Sequence, residues 1–361
     1  MSRPALLALT LGAVIVAAAC TSAPPTATQT PAGSAAATSA PAGARLALVR
    51  SRDQLICGVN GSLPGFSNLD QATSAYSGFD VDYCRALAAA VLGDPNKVEY
   101  RAVSAADRGP ALQTGEVDVL IRNTTWTVGR DTAWGLFAPT TFYDGQGMMV
   151  NTTRTDATTL EELSGATICV QSGTTTELNL TDQMRARNVP FEPLVFAEIE
   201  PTYAAYAEGR CDAVTSDRSQ LVSRRTALTT PADHAILEVV MSKEPLGPVS
   251  PLNDVQWFNV VKWVVFSTFE AEELGITQAN VAEMASSTNP VIRRLLGVET
   301  PELGTALGLD PDWVVDVITA VGNYAEIYDR NLGPNTPFDL ARGPNQLWTT
   351  PGGLLYAPPY R

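Results

Sequence analysis

Leu55-Ile56-Cys57-Gly58-Val59, Val98-Glu99-Tyr100-Arg101-Ala102-Val103 and Val117-Asp118-Val119-Leu120-Ile121 read as three short strands, and each gap between them holds a helix. In the first gap Tyr83, Cys84, Leu87, Ala88 and Val91 recur at helical spacing. This predicts a helix from Val81 to Leu92, capped by Asp80 and stopped by Gly93-Asp94-Pro95. The second gap predicts a helix from Ala106 to Thr114. Strand–helix–strand–helix–strand in this order requires right-handed crossovers and a parallel sheet. The order then returns. Ala166 to Val170, Phe191 to Phe196 and Cys211 to Thr215 read as strands, with helices from Gly173 to about Arg187 and from Pro201 to Glu208. The fold class is α/β, with one architecture used twice.

The length of 361 residues accommodates two such units. A 45% hydrophobic and 17% charged composition supports a buried core and excludes wholesale disorder. With 38 acidic against 24 basic residues, nucleic acid is excluded as a partner, because phosphate neutralisation needs clustered Lys and Arg. One histidine in the chain removes multi-histidine metal sites and most histidine acid–base schemes, so no metal is expected. That histidine, His234, follows Thr230-Pro231-Ala232-Asp233 and is read as a surface loop residue. No dinucleotide or phosphate-loop glycine motif appears, and no Gly-x-Ser-x-Gly elbow, so no cofactor is expected and the composition leans away from an enzyme. Trp257 to Gly275 is a long apolar helix. Asn259 and Lys262 interrupt it, which makes it a core helix rather than a membrane span. Further helices are expected at Val281–Ser286, Val291–Leu296 and Asp312–Ile327, then irregular structure on the surface from Gly343 to Arg361.

The start of the chain is an address. Arg3 precedes an apolar run from Ala5 to Ala19, too short for a comfortable span, so residues 1–19 read as a secretory signal. Ala17-Ala18-Ala19 before Cys20 resembles the lipobox of bacterial lipoproteins, which implies cleavage before Cys20 and acylation of that residue. The alternative is an ordinary signal peptide with an incidental cysteine. Thr21 to Ala44 carries no charge and consists of Ala, Ser, Thr, Pro, Gly and one Gln, the composition of a flexible spacer. Residues 20–44 are thus a lipid anchor and linker, with folding expected from near Arg45. Setting Cys20 aside leaves Cys57, Cys84, Cys169 and Cys211, an even number in an exported chain. Three connectivities are open; Cys57–Cys84 with Cys169–Cys211 is preferred because each pair stays within one α/β unit.

Three segments past strand ends carry chemistry, the place where open α/β sheets bind ligands. Asn123-Thr124-Thr125-Trp126-Thr127-Val128-Gly129-Arg130 offers hydroxyls and a guanidinium, although an ordinary loop with a surface Arg would look alike. Gln171-Ser172-Gly173-Thr174-Thr175-Thr176-Glu177 combines a glycine with the Thr174/Glu177 spacing of a capping box, and free N–H groups there suit an anion. Asp217 ends the stretch from Gly209 and is either a helix cap or a carboxylate aimed at an ammonium. Together Arg130 and the amides of 173–175 suit a carboxylate, while Asp217 with an oxygen of Asn123 or Thr125 suits an ammonium. An α-amino acid presents both groups on one carbon.

These residues, with Cys57-Gly58-Val59-Asn60, Gly78 to Arg85, Gly115 to Leu120, Tyr143 to Gly147, Val170 to Leu180, Lys243 to Pro248, Ala271 to Gly275 and Val321 to Tyr324, closely resemble the periplasmic solute-binding proteins of polar amino-acid ABC importers, and among them the general L-amino acid-binding group. The resemblance runs from about Leu55 to the C-terminus. It implies a two-lobed type II binding-protein fold with two hinge crossings, near Met148–Asn151 and Met241–Pro245. Lobe 1 would hold 45–149 and the returning 244–361 with a C-terminal extension, and lobe 2 would hold 150–243. Arg130 would clamp the ligand carboxylate with Thr175 and the amide of Thr174. Asp217, Asn123 and Thr125 would hold the ammonium, and Asn60 and Leu63 would lie near the ligand side chain. The implied partners are a free L-amino acid and a membrane permease, the protein acting as a monomer outside the cytoplasm. Members selective for basic ligands place an acidic residue near Asn60 and an aromatic ring near Leu63, which this chain lacks, so strong lysine or arginine selectivity is disfavoured. Gly109-Pro110 stands where a bulky apolar pocket wall is expected. The alternatives are a glutamate/glutamine-selective binder, an enzyme on this scaffold such as a cyclohexadienyl dehydratase, and a sensory domain.

Overall fold

The computed structural model describes residues 43–361; the expected signal, Cys20 and nearly all of the linker lie outside the described residues. Helix α1 (Ala44–Arg52) comes first and has no counterpart in the sequence reading. The N–H groups of Gly43 and Arg45 donate to the Asp254 carboxylate at 3.1 and 2.8 Å, and Leu46 and Val49 are buried. Strand β1 (Leu55–Val59) follows, then three short strands β2 (Ser62–Leu63), β3 (Ser67–Leu69) and β4 (Tyr76–Ser77). Next are α2 (Phe79–Leu92), β5 (Val98–Ala102), α3 (Arg108–Thr114), β6 (Val119–Leu120), α4 (Val128–Ala133), β7 (Gly135–Phe137) and the long β8 (Phe142–Asn151). The second unit contains β9 (Thr167–Gln171), α5 (Thr175–Ala186), β10 (Glu192–Phe196), α6 (Ile199–Ala207), β11 (Ala213–Asp217), α7 (Arg218–Arg225) and β12 (His234–Ile236). Strands β13 (Lys243–Leu246) and β14 (Val249–Pro251) lead into α8 (Val255–Glu273). Five helices follow: α9 (Val281–Met284), α10 (Pro290–Leu295), α11 (Glu302–Leu307), α12 (Trp313–Val321) and α13 (Tyr324–Asn331).

The strands form two main sheets. One has the order β5-β1-β6-β14-β7, with β1 parallel to both β5 and β6. The other has the order β10-β9-β11-β8-β12, with β9 parallel to β10 and β11. Strand β8 joins them. Its residues 142–145 pair antiparallel with β13, and from Gln146 onward it pairs with β11. The cores divide the same way. Apolar clusters under the first sheet draw on Leu46 to Phe142 and Leu246 to Tyr360, and those under the second on Met148 to Met241. This is the two-lobed binding-protein architecture, and each lobe carries one disulfide: Cys57–Cys84 joins β1 to α2, and Cys169–Cys211 joins β9 to the loop residue two positions ahead of β11.

Several local expectations change. Helix α2 starts at Phe79, and Asp80 does not cap it; its buried carboxylate instead accepts the Asn123 N–H at 2.9 Å. His234 is not a surface residue. It opens β12, is buried, and its Nδ1 meets the Tyr206 hydroxyl at 2.7 Å. A polar residue that can satisfy one ring nitrogen internally is cheap to bury, and sequence spacing does not reveal that partner. The helix expected over Asp312–Ile327 is two helices, because Gly322 adopts φ +77° and Asn323 restarts the chain with a reciprocal capping box to Glu326. The final stretch is irregular as expected but not merely superficial: Leu355, Ala357 and Tyr360 join the first core. Asn345, also buried, donates to the Tyr143 carbonyl and accepts its N–H, closing the free edge of β8 beside the partner change. Helix α8 is a core helix, burying Trp257, Val260, Val261, Val264 and Val265. Among the described residues no helix is long and apolar enough to cross a membrane.

Candidate functional site

A cavity between the two lobes is lined by Asn60, Arg108, Arg122, Asn123, Thr125 and Arg130 from the first, and by Gln171, Thr174, Thr175, Thr176, Ser216, Asp217 and Gln220 from the second. The first set stands at the carboxyl ends of β1 and β6 and on α3 and α4; the second stands at the ends of β9 and β11 and on the helices that follow. Parallel strands end together, so residues far apart in sequence converge on one rim.

Arg130 is placed by α4. Thr127 caps that helix by accepting the Arg130 N–H at 3.2 Å, and the guanidinium donates to the Thr125 carbonyl at 3.1 Å. It lies 4.8 Å from the centre of the Trp134 ring, and Arg108 lies 5.4 Å from the same ring. Trp134 packs against Gly109, where a Cβ would fall 2.7 Å from the indole, but neither Trp134 nor Gly109-Pro110 lines the cavity. Burial pushes the Arg130 guanidinium below its usual range, with Glu244 and Asp217 opposing the shift.

Opposite stands the start of α5. Gly173 takes φ +71°, which leaves its N–H to be accepted by Glu177 at 2.9 Å. The expected capping box is therefore shifted: Thr174 accepts the Glu177 N–H at 3.1 Å, but Glu177 reaches back to Gly173 and not to Thr174. The N–H groups of Thr175 and Thr176 open the helix, where no carbonyl lies four residues back to accept them. Asp217 closes β11 at the cap position of α7 without capping it. Among the described residues its carboxylate accepts no hydrogen bond, although only 7% of the residue is exposed. Burial and the neighbouring Asp144 and Glu244 push its pKa well above the ordinary carboxylate range.

The expected ammonium oxygens already have partners. The Asn123 side-chain oxygen accepts from Asn60 at 3.2 Å, and the Thr125 hydroxyl donates to Glu244 at 2.6 Å; each oxygen retains a free lone pair. Leu63 is the exception among the expected site residues. It does not line the cavity but is buried beside Phe66 in the first core. Arg108, Arg122, Gln171, Thr176, Ser216, Gln220 and Glu244 were missed. Gln171, Thr176 and Ser216 sit inside segments already singled out and Arg122 directly beside one, and position after a strand was the available signal; Glu244 lies in a stretch that carries the family resemblance but had no chemical signal of its own.

The lobes touch across this cavity. Arg108 donates to the Gly173 carbonyl at 3.0 Å, Asn123 to Gln220 at 3.4 Å, and Ser223 to the Pro64 carbonyl at 2.7 Å. Glu244, fully buried on β13, accepts from Thr125 on one side and from Thr175 and Asn179 on the other, at 2.6, 2.8 and 3.0 Å. This is a closed cleft. Among the described residues no cluster of His, Cys, Asp or Glu could hold a metal ion.

Residues 55–334 match the family model described as bacterial extracellular solute-binding proteins, family 3. A general L-amino acid-binding periplasmic protein of Rhizobium johnstonii is 52% identical over 325 residues, covering 90% of this chain and 94% of that protein. A glutamate/glutamine/aspartate/asparagine-binding protein of Rhodobacter capsulatus is 50% identical, covering 87% and 92%. Among solved structures, a periplasmic binding protein of an ABC transporter from Brucella ovis with glutathione bound superposes with a TM-score of 0.85 at 52% identity, covering 88% of this chain and 99% of that one.

Proposed function

The chain belongs to family 3 of the bacterial extracellular solute-binding proteins, and from that premise we propose that it is the substrate-binding component of an amino-acid ABC importer, reading the α-carboxylate and α-ammonium of free L-amino acids. The observation that carries this is the unpaired Asp217 carboxylate facing Arg130 and the first N–H groups of α5 in one closed cleft. Charge-assisted hydrogen bonds contribute about 1.5–3 kcal/mol each, so four or five, less ordering costs, reach the roughly −8 kcal/mol of micromolar binding without help from a side chain. A site that reads groups shared by all amino acids accepts many of them. The glutathione of the Brucella ovis relative fits the same logic, since its γ-linked glutamyl residue keeps both α-groups on one carbon.

We place the first lobe crossing between Gly145 and Gln146, where β8 changes partners, a few residues ahead of Met148–Asn151, and the second within β13. A ligand that bonds both rims stabilises only the closed state, so binding shifts the population towards closure, which a permease can read. The relatives' names favour binding over chemistry, and recovery of the ligand unchanged after incubation excludes a dehydratase.

Calorimetry with a panel of amino acids tests the reading, and no heat from any of them overturns it. The pH dependence tests Asp217. Its raised pKa means that, below that pKa, the empty site holds a proton that an incoming ammonium must displace. Affinity therefore rises with pH below that pKa, by up to about tenfold per pH unit, and buffers of different ionisation enthalpy reveal up to one released proton. Affinity that nowhere rises with pH above the ordinary carboxylate range contradicts the role of Asp217.

The signal at 1–19 and acylation at Cys20 complete the proposal, with 20–44 as the tether that keeps the receptor near its permease. Two or more acyl chains anchor stably. Cys20→Ser is expected to move the protein from the membrane fraction to the soluble one; unchanged partition removes the anchor.

A further inference from the structure

Three guanidiniums face the cavity, those of Arg108, Arg122 and Arg130, which are 3%, 5% and 8% exposed. Asp217 is the one carboxylate on the lining. Among the described residues none of the three arginines has a carboxylate oxygen within 4.0 Å; their nitrogens find carbonyls instead. Three cations against one anion is more than an α-amino acid requires. Its ammonium and carboxylate cancel, so the lining itself stays cation-rich, while Glu244 and Asp80 offset part of that charge from behind it.

The three are not equivalent. Arg130 is the proposed partner of the α-carboxylate. Arg108 is braced by two carbonyls, Ala105 at 2.9 Å and Gly173 at 3.0 Å. Arg122, two residues past β6, has a single bond from Nε to the Val103 carbonyl at 2.7 Å, and among the described residues neither of its terminal nitrogens has a partner. The foremost of the carboxylates that act on it, Asp80, is occupied by the Asn123 N–H and is itself pushed up to about 7 by burial, and Glu198 and Asp217 act only from beyond ion-pair distance, so none of them satisfies its terminal nitrogens. A guanidinium this deeply buried with two free donor groups is costly unless an acceptor arrives.

We propose that Arg122 binds a second carboxylate on the ligand, which makes amino acids with an anionic terminus the preferred substrate class. The inference rests on the α-group clamp above and adds a specificity group to it. The second carboxylate has two sources: the side-chain end of glutamate or aspartate, or the C-terminus of a γ-glutamyl dipeptide. Neutral amino acids still bind through the shared α-groups, with lower affinity.

Titration calorimetry of the purified protein and of Arg122→Gln with glutamate, glutamine, leucine, γ-glutamylglycine and the methyl ester of that dipeptide decides the matter. Glutamate is expected to bind the unmodified protein about tenfold or more tighter than glutamine, and this advantage to fall within about threefold in Arg122→Gln while glutamine and leucine shift by less than about threefold. If the advantage instead separates γ-glutamylglycine from its ester, the carboxylate is the peptide's. Arg122→Lys, which keeps the charge, is expected to retain most of the discrimination, and it serves as the second variant if Arg122→Gln fails a thermal unfolding check. Equal loss of glutamate and glutamine in either variant, or no preference for any second carboxylate in the unmodified protein, overturns the proposal. Absence of binding by all five ligands overturns the clamp itself, and Arg122's role with it.

Discussion

Replacing Arg130 by alanine is expected to weaken every amino acid by a similar factor, on the order of 100- to 1,000-fold, whatever its side chain. The guanidinium is held by the Thr125 carbonyl and the Trp134 face, so it is already oriented before a ligand arrives and spends little ordering entropy on it. Losing it removes about two charge-assisted bonds to a group all amino acids share. The fold should tolerate the change. Thr127 caps α4 through the Arg130 backbone N–H, which alanine keeps, and alanine suits a helix. Calorimetry across the panel, with a thermal melt of the variant alongside, measures both. Loss confined to one ligand would assign Arg130 to the side chain instead. This contrast separates it from Arg122, whose removal is expected to act only on ligands with a second anion.

Glu244→Ala is expected to be the most disruptive change away from the ligand. That carboxylate lies on β13, has no exposed surface, and accepts from Ser242 as well as from Thr125, Thr175 and Asn179. Bonds to a charged acceptor contribute about 1.5–3 kcal/mol each, and donors left buried and unpaired cost about 1–3 kcal/mol each. Partial rearrangement and water entry offset some of this, so a destabilisation of about 3–5 kcal/mol is expected. Because Thr175 and Asn179 belong to the second lobe and Thr125 to the first, the same change should favour the open state and raise the dissociation constant by about tenfold or more. Thermal unfolding reads the first effect. Small-angle scattering of the empty and ligand-saturated protein, with calorimetry, reads the second. A dissociation constant that stays put despite lowered stability would mean these bonds persist in the open form, and Glu244 would then be a brace rather than a clasp.

The fold was legible because its signals are local. The apolar runs of β1, β5 and β6 and the helical spacing of Tyr83, Leu87 and Val91 state their own periodicity, and alternation of the two patterns dictates a parallel sheet. Most of the site was legible for a related reason: Asn123, Thr125, Arg130, Thr174, Thr175 and Asp217 follow strands, and strand ends meet. Some misses were local, such as the break between α12 and α13 at Gly322, but others were decided by partners distant in sequence. Asp80 looked like a cap because a carboxylate before a helix usually is one, yet Asn123, 43 positions on, claims it. His234 looked exposed beside proline and aspartate, and Tyr206 buries it. Leu63 belongs to the first core, not to the cavity lining.

What the chain encodes residue by residue is therefore the alternation of strands and helices, the two halves, and a rim of hydroxyls with a guanidinium and a carboxylate. What folding alone decides is which charges end up without a counterion. Position after a strand marks Arg122 as a rim residue, but neither it nor Glu244 shows in its neighbours whether its charge is paired, since a buried charge is defined by the dielectric and the donors around it, and those come from both lobes at once. Local pattern follows from backbone periodicity, which acts over a few residues; electrostatic balance is a sum over space, and only the closed structure supplies its terms.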